Sequence, residues 1–430
     1  MTGQIATAAR QFRDWTAEYR LYSNKRFNPE DLFAPVRRRL IATGAPCVAA
    51  IDDSRVKKTG LRIPGAKYTR DPLGPPFHTN FIRAQRFVQI SMALPGQDGQ
   101  ARMIPVDFVH APTPAKPREN AGEEAWSQYR QAAKERRLGN VASRRIAKLR
   151  RDIDADGQHD LPLWIAFDGG YTNQTVFKPV PERVTLIGRI RADAKLYQLP
   201  DKQPSKGRRR VYGPTAPTPE QLRKDETVPW QTVGAFAAGK RHRFRVKTIA
   251  PLRWRAAGEK HNLRLIVIAP LGYRLNQNSK VLYRKPAYIV CTDPEASVEK
   301  IIQAYVWRWD IEVNFRDEKT TLGLGEQQVR HPDSVYTAPA LIVAAYAMLL
   351  IAGEQNRPGQ QARDPLPPPL WRTNEPLRPS TQNLINHLRH EVWGRFLHFS
   401  DFSNRKTHDT KSQKCFEDLN SAIFYGAQRT

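Results

Sequence analysis

The chain is short of acid. Its 430 residues carry 42 aspartates and glutamates against 69 lysines and arginines, a formal net charge of +27 with a sequence pI near 10.2. That imbalance makes a polyanion the default partner. Cysteine is scarce as well: Cys47, Cys291 and Cys415 lie far apart. An odd, scattered set argues against a disulfide framework, and no C-x-x-C or close His/Cys pair offers zinc a ligand set. Inert thiols in a reducing cytoplasm are the expectation. Long apolar runs are missing too. The longest, Ala338–Gly353, is shorter than the roughly 20 residues a spanning helix needs, has Pro339 near its start, and reads as a buried core helix. The opening MTGQIATAARQFRDWTAEYR lacks the continuous apolar core of a signal peptide. With no basic amphipathic anchor either, nucleic acid is favoured over a membrane. No internal repeat of fixed period is visible.

Residues 1–45 read as helical, because Phe12, Trp15, Tyr19 and Tyr22 recur at three- and four-residue spacing with basic residues between them. Cys47–Asp52 (CVAAID) is a short apolar run ending in an acid, as expected of a buried strand. Residues 55–82 read as a basic, Gly/Pro-rich loop. Strands are expected at 86–94 and 103–109, and a long basic helix at 123–152, interrupted near Gly139. Leu161–Asp168 (LPLWIAFD) is a second apolar run closed by an acid, followed by a strand at 184–190. From 195 to 296, basic and Pro/Gly segments alternate with strand-like runs at 242–249, 263–269 and 287–292, which reads as a β-rich insertion. A helix is expected from Ser297, a possible N-cap, to Lys319. Residues 331–430 read as a C-terminal helical region, broken by a proline-rich loop at 364–379.

Tyr305–Lys319, YVWRWDIEVNFRDEK, is the most informative stretch. Projected at about 100° per residue from Tyr305, Arg308, Glu312 and Lys319 fall within an arc of roughly 60°. Val306, Trp307, Trp309, Ile311, Val313 and Phe315 spread round the rest, as on a buried helix. A carboxylate flanked by cations on such a helix suits a metal ion with phosphates around it. The bland alternative is a solvated helix with intrahelical charge pairs. Acids at the end of the first strand, the end of the fourth strand and on this helix can meet at one edge of a mixed sheet.

The spacing Tyr-x2-Arg-x3-Glu-x6-Lys resembles the Y-R-E-K signature of a group of bacterial insertion-sequence transposases with DDE chemistry, and Tyr305, Arg308, Glu312 and Lys319 fill it without substitution. The resemblance covers roughly 47–330. It implies an α/β chain with an RNase H-like mixed-sheet core, split between 46–194 and 297–330 around the β-rich insertion at 195–296. It further implies a catalytic triad of Asp52, Asp168 and Glu312. Asp52-Asp53-Ser54 matches the family's first acid, and Asp168-Gly169-Gly170-Tyr171 its second. Asp52 and Asp53 point to opposite faces of a strand, so one of them serves; Asp52 is favoured, and the choice stays open at this point. The three acids would hold two Mg2+ ions, with Mn2+ as a substitute, for in-line phosphodiester displacement. Tyr305, Arg308 and Lys319 would hold phosphates beside the cleaved bond.

The implied activity is DNA transposition, with cleavage at the terminal inverted repeats and strand transfer into target DNA, by a cut-and-paste route. Synapsis implies a homodimer on double-stranded DNA, in the bacterial cytoplasm and nucleoid. Trp230 or Trp254 could receive a flipped base, although core packing is the plainer reading of both. Among the basic clusters, Arg208, Arg209, Arg210, Lys240, Arg241 and Arg243 lie in the insertion and are the first candidates for phosphate tracks. The alternatives are a non-catalytic DNA-binding descendant and a nuclease of the same fold without strand transfer.

Overall fold

The computed structural model describes residues 14–355 and 378–396, apart from residue 15 and short stretches at 25–27, 45, 72, 76, 97–98, 201–206, 208 and 277. Phe12, Trp15, Lys206, Arg208, Cys415, the loop at 364–377 and the tail from 397 lie outside the described residues.

Alternating apolar residues build one ten-stranded mixed sheet. β1 (Cys47–Lys57), β2 (Lys67–Arg70), β3 (Phe81–Pro95) and β4 (Ala101–His110) are antiparallel, with β1 on one flank of β3 and both β2 and β4 on the other. β5 (Leu163–Phe167) pairs in parallel with β1, and β6 (Val184–Arg189) pairs in parallel with β5. The order β4–β3–β1–β5–β6 is an RNase H-like core. The sheet then continues. β12 (Ala287–Cys291) pairs antiparallel with β6, and β9 (Leu263–Ile268), β8 (Lys240–Leu252) and β7 (Gln231–Ala237) follow, with β7 as the outer edge. The strands of residues 195–296 are thus hydrogen-bonded into the core sheet, except for a small ribbon of β10 (Gly272–Tyr273) and β11 (Leu282–Tyr283).

Helices cover both faces. In chain order they are α1 (Thr16–Ser23), α2 (Ala34–Ile41), α3 (Glu123–Glu135), α4 (Leu138–Ala155), α5 (Gln174–Phe177), α6 (Pro219–Lys224), α7 (Val298–Trp307), α8 (Asp310–Thr320), α9 (Ser334–Gln355) and α10 (Thr381–Phe396). Strand alternation assigns the faces. Cys47, Ala49 and Ile51 share a core with Leu163, Ile165 and Phe167 and with Ile146, Leu149 and Ile153 of α4. Val48, Ala50 and Ala166 face the other way, onto Ile301, Ile302 and Tyr305 of α7 and Ile311 and Phe315 of α8. Each such leucine, isoleucine or phenylalanine side chain taken out of water contributes ~1.5–3 kcal/mol, and the alanines less.

Four expectations need correction. β1 does not end at Asp52 but runs on to Lys57, because Val56 finds apolar partners of its own in Phe87 and Leu324. The basic helix breaks at Arg136–Arg137, and Gly139 lies inside α4. α9 exceeds the apolar run that announced it. Its Ser334–Glu354 stretch is long and apolar enough to cross a membrane, but Ala340, Val343, Ala344, Ala347 and Leu350 are buried in the protein core. Finally, Ser297–Lys319 is two helices. Between them, three amides bond back three residues: Trp309 to Val306, Ile311 to Arg308 and Glu312 to Trp309, each 3.1 Å. Ser297 occupies the N-cap of α7 without a side-chain capping bond.

α8 is latched to the edge strand β4. The Asp310 carboxylate accepts from the Met103 amide at 2.8 Å, and Asn314 Nδ2 donates to the Met103 carbonyl at 2.9 Å. Two residues one helical turn apart thus satisfy backbone groups that an edge strand would leave open. Farther along α8, Glu318 is fully buried and neither carboxylate oxygen has a hydrogen-bond partner. Burial pushes it up to about 8, against a weaker pull from the Gln89 amide, which falls short of hydrogen-bond geometry. The neutral acid is the form that suits the fold, so its contribution is complete below the free value of 4.5 and is lost as pH rises through about 8. Glu318→Gln is expected to match the wild type near pH 4 and to exceed its stability by roughly 2–4 kcal/mol at pH 8. Equal melting temperatures at pH 8 would contradict this assignment.

Candidate active site

Backbone register sets two acids side by side. Ala50 of β1 lies opposite Ala166 of β5, and Asp52 and Asp168 each follow two residues later. Parallel neighbours are ~4.8 Å apart, so both carboxylates stand at one level on the face that carries α7 and α8. The next strand extends the row: Phe167 pairs with Gly188, which brings Arg189 level with Asp168.

Asp53 points the other way. Its Oδ1 accepts from the Tyr171 hydroxyl at 2.9 Å, and its Oδ2 lies 3.2 Å from Arg86 Nε. Of the two adjacent aspartates, Asp52 is therefore the one that meets the helix pair, and Asp53 serves a structural ion pair on the opposite face. Asp168 Oδ1 accepts from the Gly170 amide at 2.9 Å, which fixes the turn after β5.

The tightened turn between α7 and α8 delivers Arg308. A turn closed by i→i−3 bonds rotates about 120° per residue, so the smooth stripe projected for one helix does not form. Arg308 is buried, whereas Trp309 stays 54% exposed. Arg308 Nη1 lies 3.5 Å from Asp52 Oδ2, and Nη2 lies 3.5 Å from Glu312 Oε1. The Tyr305 and Trp309 rings flank the guanidinium, each 5.7 Å away. The Arg308 Nε has no hydrogen-bond partner.

Electrostatics mark this cluster as short of positive charge. Burial pushes Asp52 up to about 7, and the neighbouring Asp168 charge adds to the rise. The Asp53 amide and Arg308 oppose it without cancelling it. Among the described residues, no three His, Cys, Asp or Glu side chains stand close enough to enclose one metal ion. Asp52 and Asp168 are neighbours, while Glu312 reaches them through Arg308 instead of directly. A half-buried carboxylate pair, with one guanidinium between its first member and Glu312, is a donor set that a divalent cation would relieve.

Lys319 does not join the group. It lies seven residues beyond Glu312, ~10 Å along a helix axis. Its charged neighbours are Glu318, Lys57 and Asp71, and its ammonium sits 5.9 Å from the Phe315 ring. Arg209 and Arg210 are exposed. Lys240, Arg241 and Arg243 are exposed on β8, four strands from β5, and Arg241 is engaged with Glu299 at 2.9 Å. Trp230 packs under Lys247 and Arg245, and Trp254 packs edge-on against Phe177, so both have protein partners.

Two residues escaped the sequence reading. Arg189 is exposed and interacts with Tyr305 across the site. The available signal was its place at the end of the strand after the second acid, but only the β5–β6 register makes it a neighbour of Asp168. Trp309 lay in the motif region, yet its exposure depends on the tightened turn.

The model of the DDE superfamily endonuclease family matches residues 17–257. That is 241 of 430 residues, including Asp52, Asp168 and Arg189 and stopping short of Glu312. No curated protein matches the chain.

The raised Asp52 fixes a pH dependence. Its favourable neutral form is complete below the free value of 3.8, and the contribution is lost as pH rises through about 7. Asp52→Asn is therefore expected to be more stable than the wild type at pH 8, by on the order of 2–4 kcal/mol, and equal to it below pH 4. Thermal melts across that range are the check, and an Asp52→Asn protein less stable at pH 8 would refute the charge repulsion.

Proposed function

The chain belongs to the DDE superfamily of endonucleases, and on that premise we propose that it is a DNA transposase that cleaves element ends and joins them to target DNA. The observation that carries the reading is the level pairing of Asp52 and Asp168 on one face of parallel strands, with Arg308 linking the first of them to Glu312. Asp52, Asp168 and Glu312 are the residues that would hold two Mg2+ ions. When bound, these would activate the attacking oxygen and stabilise the leaving one.

The chain's own groups have distinct tasks. Arg308, released from Asp52 and Glu312 as those carboxylates acquire another counter-charge, presents its planar fork to a phosphate next to the scissile bond. Tyr305 lies against that fork and orients it. Arg189 holds the same phosphate from the strand side, a role supported by its level with Asp168 and its exposure. Lys319 binds the backbone farther along the DNA, consistent with its separation from the acids. Trp309, exposed beside Arg308, is better situated than Trp230 or Trp254 to stack on an unpaired base. In cleavage, water attacks the phosphodiester at the element end and the 3′ oxygen leaves with the electron pair and takes up a proton. In joining, that 3′ hydroxyl attacks a target phosphodiester and the displaced 3′ oxygen of the target strand leaves. Two copies acting on paired ends complete the reading.

The test is a labelled duplex carrying the element's own terminal repeat and flank, incubated with Mg2+ or with Mg2+ plus EDTA. Wild type is expected to nick at the repeat boundary. Glu312→Gln and Asp168→Asn are expected to lose at least ~1,000-fold of this activity, and Arg189→Ala about 10–100-fold, the size of one charged hydrogen bond. Joined products distinguish a transposase from a nuclease. Tight binding without cleavage, the same in wild type and Glu312→Gln, would overturn the proposal.

A further inference from the structure

β1, β2 and β3 form a tongue that projects past the acids. Beyond Asp52, β1 runs through Lys57 while paired to Ala84–Val88 of β3, and β2 pairs on the far flank of β3. The base of the tongue is tied to the segment that follows α8. Lys58 Nζ donates to the carbonyls of Gly325 at 3.0 Å and Gln327 at 2.6 Å, and the Gln328 side-chain oxygen accepts from Thr59 Oγ1 at 3.2 Å. The tongue is thus fixed to the end of the helix that carries Glu312.

Its register makes a pattern. Tyr68 pairs with Arg83, and Arg70 pairs with Phe81. Paired residues share a face, as do residues two apart on one strand. Tyr68, Arg70, Phe81 and Arg83 therefore form one surface on which aromatic and guanidinium groups alternate. Asp52 pairs with Gln89, and Gln89, Arg83 and Phe81 are separated by even steps along β3, so the quartet lies on the face of Asp52. Tyr68 is 68% exposed and Phe81 62%, and the Arg83 guanidinium sits 6.0 Å from the Tyr68 ring. Residues 55–83 contain seven lysines and arginines and a single acid, Asp71. Two large aromatic rings thus stand mostly in water amid that charge, Tyr68 with the Arg83 guanidinium beside it. Neither the acids nor Arg308 reaches them.

We propose that Tyr68, Arg70, Phe81 and Arg83 form a binding surface for unpaired DNA bases beside the cut. Aromatic rings stack on base faces of any sequence, and the exposed Arg70 holds an intervening phosphate, while Arg83, whose Nε and Nη2 donate to the Gly60 and Leu61 carbonyls, braces the Tyr68 ring. Arg83 and Phe81 lie six and eight residues along β3 from Gln89, about 20–26 Å from the level of Asp52. Measured in duplex rise, ~3.4 Å per base pair, that distance is about six to eight base pairs, and fewer nucleotides of an extended single strand would span it. The inference rests on the DNA-cleaving reading, but its test reads binding alone.

The experiment is fluorescence anisotropy with a labelled dT20 oligonucleotide and a 20-base-pair duplex, in EDTA, using the full chain. Tyr68→Ala/Phe81→Ala is expected to weaken dT20 binding 10–100-fold and duplex binding less than threefold. Tyr68→Phe should bind like wild type, because stacking is retained. Arg70→Gln should lower the salt dependence of dT20 binding by about 0.7 in the log–log slope. Glu312→Gln should bind dT20 normally, so a failed cleavage assay and a failed tongue are separable. Equal dT20 affinity in wild type and the double alanine variant, with matched thermal melts, would overturn the proposal. So would a DNA-free wild-type dimer that becomes monomeric in the double variant, because the surface would then belong to a second copy of the chain.

Discussion

Two like charges held side by side by backbone hydrogen bonds are the constraint from which the site follows. The β1–β5 register leaves Asp52 and Asp168 no freedom to separate along the strands. Burial of Asp52 raises its carboxyl to about 7, and the neighbouring Asp168 charge adds to the rise. The protein offsets this in part with Arg308. The guanidinium is long enough to touch both Asp52 and Glu312, and its charge is permanent. Replacing that single positive charge by divalent ions and presenting the freed guanidinium to phosphate would be one exchange. The same residue would hold the resting site together and grip the substrate.

That exchange needs a rigid support. α8 is pinned to β4 through Asp310 and Asn314, and the buried aliphatic residues of α7 and α8 press on the sheet between them. Arg308 sits where the two helices meet, in the turn with the tightest backbone. The local geometry departs from regular helix at Arg308, which is buried and charged at once. On the opposite face, Tyr171 and Arg86 engage Asp53 and so remove the competing acid from the site.

The elements that sequence reasoning found were those with local causes. Apolar runs closed by acids located β1, β5 and their aspartates, and strand alternation already required Asp52 and Asp53 to part. What it missed depends on pairings between distant segments. The join of β12 to β6 brings residues more than a hundred positions apart into register, and no local pattern encodes it. Arg189 becomes part of the site only through the parallel β5–β6 ladder. The helical projection grouped Lys319 with Glu312 by angle and ignored the ~10 Å of rise between them. It also assumed a uniform twist through Arg308 and Trp309, where three short-range bonds overwind the chain.

The outer strand β7 has a consequence for the protein as a colloid. It ends the sheet with the sequence QTVGAFA, and β8 pairs with only one side of its backbone. An edge of that composition could template another strand, but α7 caps part of it: the Phe236 amide donates to Gln303 Oε1 at 2.8 Å, and Gln303 Nε2 donates to the Phe236 carbonyl at 3.1 Å. Long-range repulsion from a net charge of +27, backed by Lys240, Arg241 and Arg243 on the adjacent strand, works beside that cap against strand addition. Repulsion of this kind shortens with the Debye length, from roughly 10 Å at 0.1 M salt to 3 Å at 1 M. Concentrated salt would weaken the grip on a polyanion and this repulsion together, leaving the Gln303 cap as the guard of the edge.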